Sequence, residues 1–120
     1  MKRLRSLRLA IAALAAPLAF TATEAAAHAH LLKSDPAPNA SVATPRKVSL
    51  EFSEKLEPKF SGADLTKAGG GAVAATSDVQ GKILAVSPRT ALAPGAYKVT
   101  WRVVSADGHK MKGDYSFTVK

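Results

Sequence analysis

The sequence predicts an all-β fold, a two-sheet sandwich or Greek-key β-barrel of about seven short strands. Three observations predict it. No stretch after residue 27 carries a sustained 3.6-residue apolar period, whereas several alternate apolar and polar residues with a period of two. Turn signals punctuate the chain at short intervals: Asp35-Pro36-Ala37-Pro38-Asn39, Pro45, Pro58, Gly69-Gly70-Gly71, Gly81, Pro94-Gly95 and Asp107-Gly108. Leu92-Ala93-Pro94-Gly95-Ala96-Tyr97 enters a long strand in the manner of a tyrosine corner, where a phenol bonds back to the chain upstream.

Taken in order, the chain begins with a leader. Lys2, Arg3, Arg5 and Arg8 form a basic region, residues 9–20 are an uncharged Ala/Leu-rich run, and Ala25-Ala26-Ala27 supplies small residues for cleavage. This reads as a secretory signal peptide over residues 1–27, followed by one domain over 28–120. It is too short for a membrane anchor, because the uncharged run ends at Glu24 and a span needs about 20 apolar residues. Cleavage after Ala27 exposes His28; cleavage after Ala29 exposes His30. Either way a histidine comes first.

Strands follow. Val48, Leu50 and Phe52 alternate with polar neighbours, as do Tyr97, Val99, Trp101 and Val103, and then Tyr115, Phe117 and Val119. Each set turns one face to a core and the other to water. Weaker strands are expected over residues 29–34, 63–67, 72–76 and 83–87.

Composition narrows the function. The chain has 120 residues, 17 Lys+Arg, 9 Asp+Glu, 3 His and no Cys. Without Cys there is no disulfide scaffold, thiolate zinc site, iron–sulfur cluster or cysteine nucleophile. The leader takes four basic residues and one acidic residue with it, so the formal +8 falls to +5. The remaining 93 residues exceed the length of about 70–80 below which small domains need staples. The basic residues scatter along strands, with neither a helical motif nor a stacking platform, which argues against nucleic acid. Gly-x-Ser-x-Gly and phosphate-loop motifs are absent. Glu51, Glu54 and Glu57 gather near one strand end with no visible acid/base partner, so no enzyme is expected.

The three histidines are His28, His30 and His109. Asp107-Gly108-His109 sets a carboxylate and an imidazole on one loop, an arrangement that surface turns also produce. A processed His28 adds an α-amine and an imidazole from one residue. Together with Asp107 and His109 this makes three nitrogens and one oxygen, a donor set suited to one Cu(II) ion. Met111 is the only methionine after residue 27, so a soft Cu(I) site has almost no ligands. Binding needs neutral imidazoles and a deprotonated amine, so acid weakens it.

These segments resemble the CopC family of bacterial copper-binding proteins over essentially all of residues 28–120. The resemblance rests on His28-Ala29-His30-Leu31, Ser34-Asp35-Pro36-Ala37, Leu50-Glu51-Phe52-Ser53-Glu54 and Phe60-Ser61-Gly62-Ala63. It continues through residues 92–97, the run from Trp101 to His109, Gly113 and Phe117. It implies a cupredoxin-like or immunoglobulin-like Greek-key fold, a periplasmic location and a role in copper homeostasis or resistance. It implies His28, Asp107 and His109 as Cu(II) ligands. Glu54 lies near the metal in some members, as ligand or as an acceptor behind one. His30 becomes a neighbour able to compete for the ion. An inner-membrane copper protein of the CopD type is the implied partner, and the chain is expected to be a monomer. One departure is plain: the loop that is Met-rich in some members is Thr66-Lys67-Ala68-Gly69-Gly70-Gly71-Ala72 here, and no Cu(I) site is expected.

Two other readings compete. A metal-free immunoglobulin-like interaction module fits the sandwich equally well and makes the histidines incidental. A histidine-brace copper oxidase fits less well. Such braces use a second histidine without a coordinating carboxylate, and one Trp and two Tyr make a poor sugar-binding face.

Overall fold

A computed structural model describes residues 29–120; the leader and His28 lie outside the described residues. The described chain is all-β, with one 3-10 turn at Pro58–Phe60. The strands are β1 (Leu31–Asp35), β2 (Ser41–Val42), β3 (Val48–Phe52), β4 (Gly62–Lys67), β5 (Gly71–Val73), β6 (Ala75–Gln80), β7 (Ile83–Pro88), β8 (Gly95–Val104) and β9 (Lys110–Val119). They form two sheets, ordered β1-β3-β7-β6 and β2-β9-β8-β4-β5. Every pairing is antiparallel except β2 with β9. The result is the Greek-key sandwich that the alternation predicts.

The core follows the period of two. Val48, Leu50 and Phe52 face Tyr97, Val99, Trp101, Val103, Tyr115, Phe117 and Val119 in one buried cluster. Burying each such side chain contributes roughly 1.5–3 kcal/mol. Phe52 meets Trp101 edge to face, with ring centroids 5.1 Å apart, and ties the two sheets together. Tyr97 stacks on Phe117 at 5.8 Å.

The tyrosine corner forms as expected. The Tyr97 hydroxyl donates to the Ala93 carbonyl at 2.6 Å, and Leu92 is buried beneath the turn.

The structure corrects two details. It has nine strands among the described residues rather than about seven, because β2 is only two residues long and gives no periodic signal. The strand expected over residues 72–76 is broken at Ala74, with β5 in one sheet and β6 in the other. The chain changes sheets there, and no apolar alternation runs through Gly71-Ala72-Val73-Ala74-Ala75 to register the change.

Candidate metal centre

β8 and β9 pair without interruption from Gly95 with Val119 to Val104 with Lys110. Residues 105–109 are the tip of that hairpin. Gly108 takes a φ of +90°, a left-handed conformation that glycine adopts at no steric cost. Its amide donates to the Ser105 carbonyl at 2.8 Å, and the Ser105 amide donates to the His109 carbonyl at 2.9 Å. The tip is thus a closed turn that turns Asp107 and His109 toward each other.

The two side chains meet. His109 Nδ1 lies 3.0 Å from Asp107 Oδ2, and both side chains are about half exposed. Asp107 Oδ1 accepts from the Ser105 hydroxyl and from the His109 amide at 3.3 Å. These bonds hold the Asp107 carboxyl down to about 2, the Ser105 hydroxyl contributing most and His109 next. The carboxylate is therefore ionised throughout the physiological range. Asp107 thus engages Nδ1, and a metal held by His109 through Nε2 would leave that contact in place.

The loop after β3 leans on this tip. The Ala106 amide donates to the Lys55 carbonyl at 2.9 Å, and Leu56 bridges to Ser105. The loop after β3 is in turn clamped to the start of β1. The His30 amide donates to the Ser53 hydroxyl at 2.8 Å, and the Ser53 amide donates to the His30 carbonyl at 2.9 Å. Ala29 is completely buried. The segment entering β1, the Ser53–Lys55 loop and the hairpin tip therefore stand side by side at one end of the sandwich.

Of the residues singled out from sequence, Asp107 and His109 come together. Glu54 sits partly exposed on the neighbouring loop. His30 is exposed on the clamped segment, and His28 lies outside the described residues. Among the described residues, no three His, Asp or Glu side chains gather as a metal site. Sequence reasoning missed Ser105, which is 1% exposed and orders the carboxylate. A signal for it existed: Ser105 continues the inward-facing series Tyr97, Val99, Trp101, Val103, and a polar residue at a core position next to Asp-Gly asks for a buried partner.

Fold and side-chain pair first define a class: small Greek-key sandwiches that carry an Asp–His pair on an end loop, near the segment that enters the first strand. The model of the CopC domain matches residues 31–120. The chain belongs to the CopC family. It is 42% identical to "Copper resistance protein C" of Xanthomonas campestris pv. juglandis, over 97% of both chains. It is 44% identical to Protein YobA of Escherichia coli (strain K12), over 97% of this chain and 96% of that one. It also matches part of "Copper transport protein CutJ" of Bacillus subtilis, 30% identical over 85% of this chain and 20% of that protein. Among solved structures it is similar to PcoC, a methionine-rich copper resistance protein from Escherichia coli. That match has a TM-score of 0.73 and 44% identity, and covers 78% of this chain and 100% of PcoC.

Proposed function

We propose that the processed chain, residues 28–120, is a periplasmic protein that binds one Cu(II) ion and buffers or carries it in copper resistance, without catalysis of its own. The α-amine and imidazole of His28, the imidazole of His109 and the carboxylate of Asp107 supply three nitrogens and one oxygen. Glu54 stands by as a further ligand or as an acceptor behind one.

One observation carries this reading. The bonds from His30 to Ser53 and from Lys55 to Ala106 draw the segment entering β1 toward the Asp107–His109 tip. His28 is only two residues from that anchored position. The ionised Asp107 also suits a cation. The copper named for the relatives points the same way. PcoC is described as methionine rich, whereas this chain has two methionines, so no Cu(I) site is proposed.

Asp107 Oδ2 is engaged by His109 Nδ1. Asp107 would ligate the ion through whichever carboxylate oxygen faces it, and His109 through Nε2. Before cleavage the nitrogen of His28 is a peptide amide, so the full site assembles only after export. A domain like this one makes up about a fifth of CutJ. That supports work beside a copper-transporting protein, and we assign this role to a membrane partner of the CopD type.

The test is a Cu(II) titration of protein beginning at His28 against the same protein with one extra N-terminal residue. Weaker binding and fewer nitrogen donors by EPR are expected for the extended form. Equal binding by both would overturn the terminal-amine site.

A further inference from the structure

The hairpin that holds Asp107 and His109 also forms one wall of an open groove of about 660 Å³. Phe60, Val104 and Met111 supply its apolar surface, and Arg102, Lys110 and Lys112 supply three cations and no acid. Arg102 is paired with Asp64 at 3.1 Å. Lys110 and Lys112 have no ion-pair partner among the described residues.

Phe60 is 67% exposed, although nothing in a 3-10 turn requires an aromatic residue there. The other large hydrophobic side chain left in solvent among the described residues is Leu32, at 65%. A register shift between Leu31 and Lys33 accompanies its outward position. Leu32 follows His30 by two residues, and Phe60 lines the groove with Val104 and Lys110, next to the hairpin tip. Leu32 thus lies on β1, close in sequence to the clamped His30, and Phe60 lies in the 3-10 turn beside the hairpin that carries the tip. Exposed apolar surface ringed by charge marks an interaction face, and unpaired cations beside it select an anionic partner.

We infer that this groove docks a partner protein that presents an apolar side chain among carboxylates, seated beside the Asp107–His109 tip. The concave form favours a protruding protein segment over a bilayer, which would press on Phe60 and leave the walls empty. Seating a partner here would bring it within reach of the bound ion without using any copper ligand for docking. The purpose of the docking rests on the copper reading; the docking itself does not.

The experiment uses metal-free processed protein and the peptide acetyl-Asp-Glu-Leu-Phe-Glu-Asp-amide, followed by NMR. A basic control, acetyl-Lys-Lys-Leu-Phe-Lys-Lys-amide, runs alongside. Expected are shifts at Phe60, Val104 and Met111 with the acidic peptide alone, weakening as salt is raised. Phe60→Ser and Lys112→Glu should each reduce affinity about tenfold or more, while the Cu(II) EPR spectrum stays that of the parent protein. No binding of the acidic peptide at about 1 mM, equal binding of both peptides, or unchanged affinity in both variants overturns the proposal. So does insertion of Phe60 into anionic phosphatidylglycerol vesicles without peptide binding, or self-association through this face by sedimentation. Peptide binding by a protein that fails to bind Cu(II) would leave the dock standing and remove the copper reading alone.

Discussion

Gly113 lies directly under the indole of Trp101, its partner across the β8–β9 ladder. A Cβ at Gly113 would overlap the six-membered part of the ring. The glycine is there because Trp101 lies flat across the neighbouring strand to reach Phe52 in the other sheet.

Gly113→Ala should therefore push Trp101 off its seat and destabilise the fold by about 1–3 kcal/mol. Urea unfolding followed by Trp101 fluorescence reads both effects, since Trp101 is the single tryptophan. A variant with parental stability and an unshifted emission would mean the indole has room to spare.

Tyr97→Phe removes the phenol that donates to Ala93 and leaves the ring stacked on Phe117. The expected loss is about 1 kcal/mol or somewhat more, with the β-sheet spectrum intact. A loss no larger than measurement error would show that the corner is held by Leu92 and Pro94 instead.

The Asp107 carboxyl sits at about 2, below its ordinary 3.8, chiefly through the Ser105 hydroxyl. A value lowered on folding means that the ionised form stabilises the tip above pH 3.8, and that this contribution is lost as pH falls through about 2. Ser105→Ala should raise the Asp107 midpoint toward 3.8, measured by NMR titration of the side-chain carboxyl. An unmoved midpoint would shift the credit to His109.

Copper should stabilise the folded protein by mass action. At 1,000 times its dissociation constant, a ligand adds about 4 kcal/mol, read as a rise in Tm that EDTA reverses. His109→Ala should shrink that rise. Asp107→Asn should also shrink it, because Asn supplies neither the charge nor a carboxylate ligand. A Tm that ignores both Cu(II) and EDTA would instead favour the metal-free interaction module.

Much of this was legible in the sequence, and the reasons are local. β3, β8 and β9 are half-buried, so their alternation writes the burial pattern directly into residues 48–52, 97–103 and 115–119. β6 is an edge strand with four of six residues exposed, so burial left little pattern in Ser77-Asp78-Val79-Gln80. The Asp107–His109 pair was readable because both residues share one turn. The clamp between His30 and Ser53 was not, since 23 residues separate them and a serine that bonds a distant backbone amide looks in the sequence like any other loop serine.

The unbroken β8–β9 hairpin has a mechanical consequence. Ten residue pairs at about 3.3 Å each make a stem roughly 33 Å long, with the Asp107–His109 pair at one end and the tyrosine corner at the other. A dye, tether or tag attached in the exposed turn at Ala93-Pro94 is thereby held a molecule's length from the Asp107–His109 tip. The two ends can be altered independently, so a reporter or anchor at one leaves the Asp107–His109 pair at the other undisturbed.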